Sequence, residues 1–189
     1  MMSDQMAHKT ILIVDDKPDN LQTMVEIIEQ CREQYSVLQA FDGQMALKVL
    51  GKREVDLVIT DWEMPAVNGI ELIKKIKADA SLADIPVIMC TGVMTSSKDL
   101  DVALDAGAVD YIRKPIDEVE LRARVRSMLQ LSDSYRQVKE LQMQKDKLYS
   151  IIAHDLRGSI GSVKVLLEFL LQDEERFDTD QLKEYLATT

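Results

Sequence analysis

Short apolar runs recur along the first two thirds of the chain, at residues 10–14, 35–40, 55–60, 86–91 and 109–112. Each is the length of a strand, and Ile11-Leu12-Ile13-Val14 and Pro86-Val87-Ile88-Met89-Cys90 have none of the polar alternation of a half-exposed strand. That is the pattern of strands covered on both faces. Between them, helical periodicity predicts helices at about 18–31, 43–51, 69–79, 97–106 and from 117 onward. A strand-helix unit repeated five times, with buried strands, predicts an α/β fold: a five-stranded doubly wound parallel sheet with helices on both faces. All four prolines (18, 65, 86 and 115) fall at junctions of this pattern.

After residue 115 the punctuation stops. Asp117-Glu118-Val119-Glu120 has capping-box spacing, and the next glycines are 158 and 161, so the helix it starts is expected to run on to about residue 171. Some 55 residues at 1.5 Å each extend on the order of 80 Å, more than a small domain can cover. Leu131, Val138, Leu141, Leu148 and Ile152 keep close to heptad spacing, with Lys145 in an otherwise apolar position. A parallel coiled-coil homodimer is the expectation, against the alternative of a helix folded back on its own domain. Leu156, Ile160, Val163, Leu167 and Leu170 continue the stripe after two four-residue steps, a stutter. A return helix is expected near Thr179, with Asp178 and Gln181 at capping-box spacing, giving a partial helical hairpin.

Composition narrows the setting. At 189 residues and 46% hydrophobic content the chain can supply a core plus an appendage. The net charge of −10 divides as −7 over residues 1–128 (15 basic, 22 acidic) and −3 over the rest (8 basic, 11 acidic), which disfavours nucleic-acid phosphates. Arg122, Arg124 and Arg126 are the local basic cluster, expected as a solvated helix face. No membrane span or signal peptide is apparent, and two cysteines make no disulfide framework, so a cytoplasmic fragment is expected. Cys31 and Cys90 are read as small apolar fillers and His8 as exposed.

The chemistry lies where the strands end. Asp15-Asp16, Asp61, Thr91 and Lys114 each follow an apolar run, and an open parallel sheet builds its site at that edge. Three carboxylates held close together repel, and a hard divalent cation such as Mg2+ relieves this while leaving room for a phosphoryl oxygen. Asp61 is then the candidate nucleophile, with Lys114 and Thr91 to receive developing charge.

Taken together, Asp15-Asp16, the stretch Asp61-Trp62-Glu63-Met64-Pro65-Ala66-Val67-Asn68-Gly69, Thr91-Gly92, Tyr111 and Lys114-Pro115 closely resemble the receiver domain of bacterial response regulators, over residues 8–128. The resemblance implies a flavodoxin-like receiver fold, phosphorylation of Asp61, Mg2+ held by Asp16, Asp61 and the backbone carbonyl of Glu63 with Asp15 acting through water, a switch pair of Thr91 and Tyr111, and a cis Lys114–Pro115 bond. It also implies a phosphodonor histidine kinase or phosphotransfer protein as partner.

A second stretch, Ser150-Ile151-Ile152-Ala153-His154-Asp155-Leu156-Arg157-Gly158-Ser159-Ile160, resembles the phosphoacceptor box of sensor histidine kinases. His154 points about 160° away from the Ile152–Leu156 stripe, toward water. The resemblance makes His154 a candidate phosphohistidine, oriented by Asp155. Two positions depart from that family: Ser159 stands where proline is common, and Gly158 lacks the side chain that orients a water for dephosphorylation. No segment resembles the family's ATP-binding domain. The expected organisation is a tail (1–7), a receiver (8–128), a coiled-coil helix (129–148) and a partial dimerisation and phosphoacceptor region (149–189). The leading expectation is a receiver that regulates a kinase-type phosphoacceptor helix; the alternative is a phosphorylation-switched binding or scaffold module.

Overall fold

The computed structural model describes residues 8–92 and 97–172. Five strands, β1 (Thr10–Val14), β2 (Ser36–Ala40), β3 (Leu57–Asp61), β4 (Val87–Thr91) and β5 (Asp110–Arg113), alternate with α1 (Pro18–Glu29), α2 (Gly43–Leu50), α3 (Gly69–Ala78), α4 (Ser97–Asp105) and α5 (Glu118–Gln172). The strands form one parallel sheet in the order β2-β1-β3-β4-β5, so β2 and β5 are its edges.

Alternation along the strands divides the interior in two. Ile11, Ile13, Leu57, Ile59, Ile88, Cys90 and Ile112 pack with Leu21, Met24 and Ile28 of α1 and Leu121, Val125 and Leu129 of α5. Leu12, Val14, Val58, Val87 and Met89 pack instead with Ala46 and Leu50 of α2, Leu72, Ile73 and Ile76 of α3 and Ala103 of α4. Each large aliphatic side chain so buried contributes about 1.5–3 kcal/mol. This double coverage is why the strands are unbroken apolar runs.

Sequence-readable caps start the helices. Pro18 occupies the first turn of α1. Asp42 accepts from the Met45 N–H (2.7 Å), Asn68 from Glu71 (2.9 Å) and Asp117 from Glu120 (2.8 Å), opening α2, α3 and α5. Element ends differ from the expected ones by at most two residues. α1 stops at Glu29 because the Cys31 N–H turns back to the Ile28 carbonyl (3.0 Å); β3 runs one residue further, so Asp61 is the last residue of the strand itself.

The arginine cluster of α5 departs from the expected solvated face. Arg122 donates to the Ile27 carbonyl (3.1 Å) and Gln30 (2.9 Å) and pairs with Glu118. Arg124 bridges Asp110 of β5 and Glu120, and Arg126 pairs with Glu33 (3.1 Å). These guanidiniums are partners of α1, the segment that follows it and β5, a tertiary role that one-dimensional charge pattern does not reveal.

By internal packing the chain divides into Met1–Arg136 and Gln137–Thr189. Within the first unit, at the amino-terminal edge of the sheet, Asp56 accepts from the Thr10 N–H (2.9 Å), Lys9 (3.3 Å) and Arg136 (2.8 Å), and Lys9 also pairs with Asp133. In the second unit residues 137–152 of α5 are helical, and all are exposed. The helix extent matches the expectation. The return helix expected near Thr179 and its cap lie outside the described residues, as does the tail 1–7. Among the described residues no helix is long and apolar enough to cross a membrane.

Candidate functional site

At the carboxyl edge of the sheet, β1 leads into Asp15-Asp16, β3 ends on Asp61, β4 ends on Thr91 and β5 leads into Lys114. The carboxylates of Asp15, Asp16 and Asp61 each offer a ligand atom within 4.8 Å of the other two. Lys114 Nζ lies 2.6 Å from Asp15 Oδ2 and 2.9 Å from Asp61 Oδ1. The Lys114 N–H donates to the Thr91 carbonyl (2.9 Å), which fixes its position from the backbone; the Lys114–Pro115 peptide is cis.

The three carboxylates are not equivalent. Asp15 is fully buried and well served: Oδ1 accepts from the Lys17 N–H and Asn20 Nδ2 (both 2.9 Å), and Oδ2 from Asn20 (3.0 Å) and Lys114. Asp16, in contrast, keeps a buried Oδ1 with no hydrogen-bond partner. An orphaned carboxylate oxygen beside two other carboxylates is costly unless a cation takes it. The all-oxygen donor set, with one acid already saturated by protein donors, suits a hard divalent ion such as Mg2+.

Asp61 is the buried acid at the centre. Burial pushes its carboxyl above the usual carboxylate range; the Lys114 ammonium opposes this and the charge of Asp15 adds to it. Lys114 is displaced the other way from what burial dictates, because hydrogen bonds and charge from Asp15 and Asp61 outweigh desolvation and raise it. The lysine is therefore a fixed cation between the two acids. The neighbouring Cys90 thiol is pushed up to about 12 by burial, which keeps it a protonated apolar filler.

Thr91 is buried at the strand end and Tyr111 is half-buried against the side of the sheet that holds α2, α3 and α4, with the Arg113 guanidinium 5.9 Å from its ring centroid. Glu63 is exposed in the loop after Asp61. One contributor, Asn20, and the packing role of another, Gly69, are not read from the sequence. Asn20 clamps Asp15 from the first turn of α1, and the helix start at Pro18 was the signal that could have placed it there. Gly69 packs against the Asp61 backbone so closely that a Cβ would collide with the Asp61 carbonyl oxygen; its place at the first position of α3 was the corresponding hint.

His154 and Asp155 belong to the second unit, on α5. The His154 side chain is 87% exposed, and its Nδ1 is 3.4 Å from Asp155 Oδ1. The imidazole is open to a partner and has its carboxylate adjacent.

Residues 11–126 match the response regulator receiver domain family. Among curated proteins, a probable cyclic di-GMP phosphodiesterase of Vibrio cholerae is 38% identical over 130 residues, covering 69% of this chain and 29% of its own length. The phosphate regulon transcriptional regulatory protein PhoB of Pseudomonas aeruginosa is 38% identical over 124 residues, covering 66% and 53%. This chain thus spans about half or less of these relatives. Among solved structures, the receiver domain of a signal transduction histidine kinase from Syntrophus aciditrophicus is similar at 32% identity and a TM-score of 0.60, covering 65% of this chain and 90% of that one. A receiver domain of an HD domain-containing protein from Pseudomonas fluorescens gives 29% identity and a TM-score of 0.62, covering 68% and 99%.

Proposed function

Because this chain belongs to the response regulator receiver family, we propose that Asp61 is the phosphorylated residue of an Mg2+-dependent switch that regulates a phosphoacceptor helix bearing His154. The observation that carries the reading is the convergence of Asp15, Asp16 and Asp61 with Lys114 between two of them. An Asp61 oxygen attacks the phosphorus of a donor such as a phosphohistidine; the O–P bond forms, the P–N bond breaks, and the electron pair returns to the donor imidazole. Mg2+, when bound, would supply neutralising charge to the transfer. Asp16, Asp61 and the Glu63 backbone carbonyl are its proposed direct ligands, and Asp15, already saturated by Lys17, Asn20 and Lys114, acts through water. Lys114 balances the charge gathering on the phosphoryl group, and the Thr91 hydroxyl and Tyr111 ring form the switch that reads the acyl phosphate.

On the helix, the exposed His154 is the second phosphoryl site in this proposal. Asp155 holds the tautomer with its proton at Nδ1, leaving Nε2 as nucleophile. Dimerisation through the apolar stripe and a cytoplasmic location belong to the same reading. The Syntrophus receiver, which is part of a histidine kinase, supports joining the two activities in one protein. The ATP-binding domain would be a further partner.

A second reading is favoured by the other relatives, whose names describe a transcriptional regulator and a phosphodiesterase. In it the receiver switches a dimeric binding module, and His154 is inert. The deciding experiment adds acetyl phosphate with Mg2+ to the protein and to Asp61→Asn and maps the label; loss of label in Asp61→Asn is expected, and label persisting there overturns the receiver assignment. A histidine-kinase ATP-binding domain supplied in trans with ATP is expected to label His154 in the wild type and not in His154→Gln. No label at His154 selects the binding module.

A further inference from the structure

Within Gln137–Ile152, Val138, Lys145 and Ile152 occupy the first apolar position of successive heptads and Leu141 and Leu148 the second, all on one exposed stripe. The four apolar members are between 45% and 65% exposed. The positions flanking that stripe carry no charge: Gln137, Gln144 and Ile151 on one side, Gln142 and Tyr149 on the other. Lys139, Glu140, Asp146 and Lys147 all fall on the far side of the helix. Partners chosen by charge are selected at the flanking positions, and neutral flanks neither attract a differently charged helix nor repel an identical one. A second copy of this chain fits that surface.

Lys145 is then the single charged residue in the seam. We infer that Lys145 fixes the register of a parallel dimer of this helix, an inference that rests on the dimer reading above. With the copies aligned, both lysines share one layer, and each ammonium can leave it sideways; in the monomer Lys145 Nζ already lies 5.9 Å from the ring centroid of its own flanking Tyr149. A slip of one heptad sets one Lys145 against Ile152 and the other against Val138. Two apolar layers are then spoiled instead of one, and within residues 138–152 the apolar residues alone provide no such discrimination, because the stripe there repeats every seven residues. The same charge weakens the aligned dimer, leaving a seam that is specific and readily separated.

The test uses the full chain with Cys31→Ser, Cys90 being buried. Chains carrying Leu141→Cys or Leu148→Cys are oxidised singly and as a mixture. The expected result is cross-linking of each chain with its own kind and no 141–148 product, which appears once Lys145→Leu is added. Sedimentation equilibrium is expected to show Lys145→Leu tightening the dimer at least tenfold, with Lys145→Arg close to wild type. An equal yield of 141–148 product with and without Lys145→Leu overturns the inference alone, as does an antiparallel pattern in which only the mixed product forms. A chain monomeric at all concentrations removes the dimer reading itself.

Discussion

The setting of Asp61, the proposed nucleophile, depends on residues outside the acid cluster. Gly69→Ala drives a methyl into the Asp61 carbonyl; an overpacked site of this kind costs about 1–3 kcal/mol, and the variant is expected to melt lower and to lose acetyl-phosphate labelling, both measurable on the same sample. Ala66 holds a φ of 65°, a conformation that costs a non-glycine residue about 1 kcal/mol, so Ala66→Gly should raise the melting temperature; a drop would contradict the strain argument. At Asp61, burial and the Asp15 charge disfavour the ionised form despite Lys114. In chelator at neutral pH, Asp61→Asn is expected to melt about 2–5 °C above wild type. Added Mg2+ should raise the wild type and close that gap, read by melting and by the fluorescence of Trp62, the sole tryptophan. The acids and Lys114 were legible in the sequence because each sits where an apolar run ends. Asn20 and Gly69 were not, since their roles arise from where a helix begins and how closely two backbones approach.

Elements were legible to within a few residues, because burial of the sheet on both faces writes itself as unbroken apolar runs and the helix caps are local. The anchor that ties α5 to the amino-terminal edge of the sheet was not: Lys9, Asp56, Asp133 and Arg136 are scattered over the chain and meet only in the fold. Burial pushes the Asp56 carboxyl up, but the Thr10 N–H, Arg136 and Lys9 outweigh it and hold it below the usual carboxylate range. A depressed carboxyl contributes stability that is complete above its unfolded value, about 3.9, and is lost as pH falls through the lower folded value. Asp56→Asn is therefore expected to cost about 1–2 kcal/mol at pH 7, with the difference from wild type shrinking below roughly pH 4. Urea unfolding from pH 7 to pH 3 measures it, and a difference constant across that range would exclude the ion pairs as its source.

The molecule as a whole joins a unit with two packed interiors to a helix that has none of its own. A chain ending at Arg136 keeps every member of both apolar clusters and is expected to unfold cooperatively at nearly the melting temperature of the full chain. Helix from residue 137 onward, exposed all round through 152, is marginal when alone in water. The helical circular-dichroism signal of the full chain should thus fall on dilution, whereas that of the 1–136 chain should not. The sheet's outer rim confines where copies can meet. β5, one of the two lateral strands, has Asp110 tied to Arg124 and ends on the exposed Arg113, so an incoming strand must strip an ion pair before it can hydrogen-bond there. Fibrillar, strand-upon-strand accretion is discouraged at that border, even at the high local concentration that the proposed helix dimer would create for two receivers.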